Sequence, residues 1–267
     1  MAASEETWVV LGASYGTNRY RVSTGTVDMT RPSNAVRAVH VKAQPQEVVF
    51  DLGKTALLVI DMQNDFCARE GWVAQMGIDV TPSLRLAEPI NRVTHALRRA
   101  AVPVIWLNWG VRPDRLNLSP GTQHPFNPHG KGPGLGGATT SAGRQYNLLE
   151  AGSWGAQVIA ELDQEPSDVH VDKHRISGFW DTPLDSILRG LDVKTLIFAG
   201  VNTDHCVLST LIDANFHGYD TILLEDCTGT FSPQFCYEAT LHNVRFCFGF
   251  TTTSQGLVDG LRASSSS

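Results

Sequence analysis

The chain has 267 residues, 42% hydrophobic and 18% charged, a composition ordinary for a globular protein with one sizeable buried core. A net charge of −6 gives no footing for nucleic acid or an anionic membrane as a partner. Five cysteines, at 67, 206, 227, 236 and 247, are odd in number and include no C-x-x-C pair, which argues against a disulfide framework or a thiolate metal site.

Residues 1–53 read as an extension, packed on the main domain or on a neighbouring subunit. The opening Met1-Ala2-Ala3-Ser4-Glu5-Glu6 has no basic segment followed by an apolar one, so a cytoplasmic protein is expected. No apolar run is long enough to span a bilayer. Trp8-Val9-Val10-Leu11 and Tyr20-Arg21-Val22 suggest short strands around a Gly-rich turn. That turn, Gly12-Ala13-Ser14-Tyr15-Gly16, formally fits G-x-S-x-G. A serine nucleophile elbow needs a helix next, and the strand-like Thr17-Asn18-Arg19-Tyr20 disfavours it.

The rhythm changes at Thr55, where a domain over 54–262 is expected to begin. Ala56-Leu57-Leu58-Val59-Ile60 is a continuous apolar run closed by Asp61. A strand apolar on both faces belongs in a parallel sheet between helix layers. Similar runs stand at 102–107, 169–171, 195–199 and 221–224, with a weaker one at 244–248. Helical patterns cover 86–100, 185–191 and 204–217, the last ended by Gly218. The alternation defines an α/β fold, a doubly wound, mostly parallel sheet flanked by helices, with its ligand beyond the carboxyl ends of the strands. Residues 110–152 interrupt it with a Gly- and Pro-rich stretch, expected to be a lid insertion. Within it Gly132-Pro133-Gly134-Leu135-Gly136-Gly137 fits G-x-G-x-x-G, but no strand precedes it and no helix follows, so a dinucleotide site is not expected. Residues 263–267 read as a disordered tail.

Three residues at strand ends carry chemistry. Asp61 closes its strand, where an acid is either catalytic or a cap on a neighbouring amide, and position alone leaves both open. Lys173 ends the strand at 169–171; it either snorkels to solvent or neutralises an anionic partner. Cys206 follows a strand and the loop Gly200-Val201-Asn202-Thr203-Asp204-His205, at the expected start of a helix. A thiol there is either a buried small hydrophobe or a nucleophile whose thiolate the helix terminus stabilises. Together the three supply a nucleophile, its base and a cation that lowers the thiol pKa, the parts of covalent catalysis.

These residues resemble a known family. Leu58-Val59-Ile60-Asp61-Met62-Gln63-Asn64-Asp65-Phe66, then Lys173 with Ser177-Gly178-Phe179 and Thr182-Pro183-Leu184, then Gly200-Val201-Asn202-Thr203-Asp204-His205-Cys206-Val207 are similar to the three motifs of the isochorismatase-like cysteine hydrolases. The resemblance spans 55–249. Gly152-Ser153-Trp154, the run 177–189 and Leu224-Glu225-Asp226 are most similar to the ureidoacrylate-cleaving branch.

The resemblance implies a C–N hydrolase in which Asp61 takes the Cys206 proton, Lys173 stabilises charge and a thioester forms. It also implies a cis peptide at Val201-Asn202 that aims the amides of Asn202 and Cys206 at one oxyanion. The implied substrate is a small ureido, carbamoyl or linear amide, with a ureidoacrylate-like one favoured. Lactams, streptothricin-type compounds, biuret and N-carbamoyl amino acids are alternatives. A homodimer or homotetramer is implied. Phe66, Asn108, Trp109, Ile176, Phe179 and Trp180 are candidates for the pocket wall, against a plain core role for the aromatics. Ile176 stands where a tyrosine is expected in the ureidoacrylate branch, which removes a possible substrate hydrogen bond. The Asp-x-His metal motif of related nicotinamidases is replaced by Asn108-Trp109-Gly110, so neither metal nor cofactor is expected and His170, His174 and His205 read as supporting groups. Members lacking the nucleophile could act as binding or scaffold subunits, and vinyl-ether-cleaving members do not use a cysteine. Retention of Asp61, Lys173 and Cys206 disfavours both alternatives.

Overall fold

In a computed structural model describing residues 7–13, 17–32 and 34–264, the apolar runs become adjacent strands of one sheet. The chain opens with an antiparallel meander, β1 (Val9–Gly12), β2 (Arg19–Val22) and β3 (Val27–Asp28), then a hairpin of β4 (Ala38–Val41) and β5 (Val48–Asp51). The first central strand is β6 (Thr55–Ile60). It is followed by α1 (Asn64–Cys67), α2 (Trp72–Gln75), α3 (Thr81–Arg85), α4 (Ala87–Arg99) and β7 (Val104–Trp109). The insertion carries α5 (Pro120–Gln123) and a hairpin of β8 (Ala138–Ser141) and β9 (Arg144–Asn147). The chain then runs β10 (Val169–Lys173), α6 (Leu184–Gly190), β11 (Thr195–Val201), α7 (Leu208–Phe216), β12 (Asp220–Gly229), α8 (Gln234–Asn243), β13 (Phe250–Thr252) and α9 (Ser254–Ser264).

The six central strands are parallel, in the order β10-β7-β6-β11-β12-β13. Every residue of β6, β7 and β11 is buried, which is why these segments are apolar without alternation. From β6 the chain winds outward through β7 and β10; from β11 it winds the other way through β12 and β13. The direction therefore reverses between β6 and β11, and such a switch opens a crevice at the carboxyl ends of the two strands. Asp61 and the loop to Cys206 leave the sheet at that crevice. The two strands pass so closely there that Gly200, at φ +111°, has no room for a side chain: a Cβ would lie 2.0 Å from the Ile60 carbonyl oxygen.

Helix α4 lays Ile90, Val93 and Leu97 on the sheet and turns Glu88 and Arg92 outward as a 2.7 Å ion pair. The second half of the expected extension belongs to the same core. Val39, Val41, Val48 and Phe50 of the β4–β5 hairpin are buried, and Gln44 exchanges backbone hydrogen bonds of 2.8 and 2.9 Å with Thr251 of β13.

Two sequence expectations are corrected. The run 244–248 is a single π-helical turn that continues α8, and the strand begins later, at Phe250. Val244 is buried but Phe246 is 80% exposed, so the segment cannot serve as a sheet strand despite its apolar letters. Helix α9 extends through Ala263 and Ser264, whose hydroxyl donates to the Leu261 carbonyl at 2.9 Å, so the expected tail shortens; residues 265–267 lie outside the described residues. The turn residues Ser14, Tyr15 and Gly16 also lie outside them.

Candidate active site

Asp61, Lys173 and Cys206, far apart along the chain, meet at the carboxyl ends of β6, β10 and β11. Asp61 leaves β6 with φ +53°, a left-handed conformation that aspartate tolerates better than bulkier residues. Its backbone N–H donates to the Leu107 carbonyl at 3.0 Å, which extends the β6–β7 ladder by one residue. Lys173 is the last residue of β10 and has no exposed surface, and Asp61 and Cys206 are also buried.

The Lys173 ammonium lies 2.9 Å from Asp61 Oδ2, 3.4 Å from Cys206 Sγ and 3.1 Å from the Arg175 carbonyl oxygen. It also sits 4.2 Å above the centroid of the Trp109 ring. A cation so fully desolvated is held by a carboxylate, a carbonyl and an aromatic face together. Lys173 and Asp61 thus form a buried ion pair.

Burial raises the Asp61 carboxyl above its ordinary range, and the neighbouring Lys173 charge pulls it back. Burial, followed by the Asp61 charge, pushes the Cys206 thiol up to about 12, against the pull of Lys173. The expected start of a helix at Cys206 moves in the structure. Cys206 lies in a π-helical turn, Thr203–Val207, and α7 begins only at Leu208. Burial thus favours the neutral thiol, and the Lys173 ammonium opposes it.

The remaining candidates fall in different places. The Val201–Asn202 peptide bond is cis. Trp109 is buried beneath Lys173, and the insertion's Phe126 packs edge-on against it at 5.2 Å. Asn108 is buried at the end of β7, and its Oδ1 makes no hydrogen bond among the described residues. Phe66 is buried in α1. Phe179 stacks on His217 at 5.0 Å, so its ring is engaged with the end of α7. Trp180 lies mostly outward, its indole N–H donating to Asp213 at 2.8 Å, and Ile176 is partly exposed. His174 is 3.9 Å from Asp181, and His205, half exposed, is 3.3 Å from Asp204. Among the described residues, no group of three or more His, Cys, Asp or Glu side chains is placed to hold a metal ion.

Sequence reasoning missed Gln63 and Asp65. Gln63 donates to the carbonyls of Trp109 and Ala156, both at 2.7 Å, and accepts from the Trp109 N–H at 2.9 Å. The signal was available: Gln63-Asn64-Asp65 is a polar run beside a buried strand, and all three residues prove to be buried.

Comparison with known proteins defines the class. The model of the isochorismatase domain matches residues 55–256, and the chain belongs to the isochorismatase family. It is an enzyme, an amidohydrolase acting on non-peptide carbon–nitrogen bonds. The chain is 34% identical over 227 residues to the ureidoacrylate amidohydrolase RutB of Cronobacter turicensis, covering 85% of this chain and 96% of that one. It is 36% identical over 222 residues to the protein of the same name from Methylorubrum extorquens, covering 83% and 88%. Among solved structures it resembles a cysteine hydrolase from Pseudomonas syringae pv. phaseolicola 1448A, at 25% identity and a TM-score of 0.68, covering 87% of this chain and all of that one. No helix among the described residues is long and apolar enough to cross a membrane.

Proposed function

We propose that the chain is a cysteine-dependent amidohydrolase that cleaves the C–N bond of a small ureido or carbamoyl acid through a thioester, working as a homodimer or homotetramer. The observation that carries this reading is one buried ammonium, on Lys173, touching both the Asp61 carboxylate and the Cys206 sulfur. In this mechanism Asp61 takes the thiol proton, and Lys173 stabilises the thiolate as it forms. The thiolate attacks the substrate carbonyl, whose oxygen becomes an oxyanion facing the amide N–H groups of Asn202 and Cys206. Collapse breaks the C–N bond, and Asp61 returns its proton to the departing nitrogen. The acyl group is left on sulfur, as a thiocarbamate when the substrate is a ureido compound. Asp61 then removes a proton from water, the hydroxide displaces sulfur, and the free acid and the thiol are restored.

The names of the curated relatives favour ureidoacrylate as the substrate. Ile176, at the partly exposed segment after Lys173, offers no hydrogen bond, so the polar end of the substrate must be read by other groups. Asn108 is the candidate, because its buried Oδ1 is left free to accept from a ureido N–H.

The test is turnover by the full chain on ureidoacrylate, biuret, N-carbamoyl amino acids and lactams, with release of acid or ammonia measured. Cys206→Ala is expected to lower kcat by about 10⁴-fold or more while leaving the thermal midpoint nearly unchanged. Mass spectrometry of acid-quenched wild-type enzyme should show an acyl adduct on the peptide holding Cys206. Wild-type rates in the alanine variant would rule out a cysteine mechanism.

A further inference from the structure

We infer that Asp65 is a positioning residue: its carboxylate fastens the 110–152 insertion to the turn after Asp61, and so backs the Trp109 ring on which the Lys173 ammonium rests. The inference rests on the catalytic reading of Lys173 given above.

Asp65 is completely buried, and no arginine or lysine pairs with it among the described residues. A carboxylate in that position is costly unless donors surround it. Oδ1 accepts from the Tyr146 hydroxyl at 2.6 Å and from the Trp72 N–H at 3.4 Å, and Oδ2 accepts from the Leu149 N–H at 3.0 Å. Tyr146 lies on β9 and Leu149 just after it, so both belong to the returning limb of the insertion.

The opposite side of the carboxylate is closed by backbone. A Cβ on Gly155 would come 1.9 Å from Asp65 Oδ2, so the carboxylate fills the space a side chain would need, and the Gly155 carbonyl accepts from the Asp65 N–H at 3.0 Å. The neighbours extend the joint. The Asn64 N–H donates to the Gln157 carbonyl and Asn64 Nδ2 to the Trp154 carbonyl, both at 2.8 Å. Three consecutive side chains after Asp61 and Met62 thus dock residues 146–157.

The docked insertion in turn carries Phe126, which stacks on Trp72 at 5.5 Å and meets Trp109 edge-on at 5.2 Å. A chain of contacts thus links Asp65 to Lys173: the Trp72 N–H on the carboxylate, the Trp72 ring, Phe126 of the insertion, Trp109 and the ammonium. Glutamate is a methylene too long for the slot against Gly155. Asparagine would turn an NH₂ group toward N–H donors on one of its two sides.

The test uses the full chain with Tyr146→Phe, which removes one donor, and Asp65→Asn. Amide hydrogen exchange without substrate should quicken over residues 138–152 by about fivefold in the mild variant, and by more in the second. The acid limb of kcat/KM should move to higher pH in both, because a less firmly held Lys173 pulls less on Asp61; a merely structural joint would leave that limb alone. Unchanged exchange over 138–152 overturns the inference. So does faster exchange with an unmoved pH limb, which would make Asp65 a stabilising residue only. Should Asp65→Asn fail to fold, Tyr146→Phe decides alone. The exchange readout needs no substrate, so its failure is distinguishable from failure of the catalytic reading.

Discussion

Two opposing forces act on Asp61, and they set its pH behaviour. Burial disfavours its charged form, and Lys173 at 2.9 Å favours it, with burial the larger. A carboxyl whose pKa is raised by folding binds its proton more tightly in the folded chain. Its contribution to stability is full below the ordinary value of 3.8 and fades as pH rises through the raised value. The proposed mechanism needs the opposite form, since a protonated Asp61 cannot take the thiol proton. The acid limb of kcat/KM is therefore expected above the ordinary carboxylate range. Lys173→Met should move that limb to still higher pH and lower kcat by about 100-fold or more. A pH–rate profile of the two proteins checks this, and a limb that stays put in the variant contradicts it. The three residues that meet at the strand ends, Asp61, Lys173 and Cys206, were legible because charged or nucleophilic side chains at the ends of apolar strands stand out. The upward push of burial on the Cys206 thiol was not, because it depends on how completely the fold withdraws the sulfur from water, which no local spacing records. Phe179 and Trp180 show the same limit: adjacent in sequence, one stacks on His217 and the other reaches Asp213 near the surface.

At the scale of elements, the site depends on how closely β6 and β11 approach where the winding reverses. Register pairs Gly200 with Ile60, and the missing side chain lets the nucleophile loop leave beside Asp61. Gly200→Ala would place a Cβ against the Ile60 carbonyl oxygen and also impose φ +111° on a residue that resists it. The strand pair would have to part, at a cost of at least about 2 kcal/mol, which lowers the thermal midpoint by about 4 °C or more. Activity should fall further than stability, because separation displaces Cys206 from Lys173. Differential scanning calorimetry with turnover on the same sample tests both, and an alanine variant with native midpoint and native kcat would contradict the packing argument. The buried strands were readable as apolar runs, and α4 as an amphipathic period. The two π-helical turns, at Thr203–Val207 and Val244–Phe248, were not. Such a turn differs from an α-helix by one residue of register, and its cause is the packing around it.

At the scale of the whole molecule, the N-terminal meander presents an apolar face that is largely exposed. In the meander, Val9 faces Val22, Leu11 faces Tyr20 and Val22 faces Val27, so these five side chains share one face of the sheet. The other face carries Val10, Arg21 and Asp28, the last two joined by a 2.7 Å ion pair. An antiparallel sheet with this division ordinarily buries its apolar face against a core. Here Val9 and Val27 are more than half exposed. The same chain also exposes Phe216, Phe235 and Phe246, so a second copy brings an apolar surface of its own. In the proposed homo-oligomer such surfaces are where copies would meet, since covering them removes apolar area from water in every subunit at once. Leu11→Lys with Val27→Lys places two charges on the meander's apolar face and touches neither the central sheet nor the site. The double variant is expected to keep its thermal midpoint at high dilution and its kcat, yet to dissociate at protein concentrations about tenfold higher than the wild type, because each buried charge opposes association. Light scattering across a dilution series measures this. An assembly that survives both charges unchanged would place the contact between copies elsewhere on the molecule, and a wild type that scatters as a monomer at every concentration would remove the oligomer altogether.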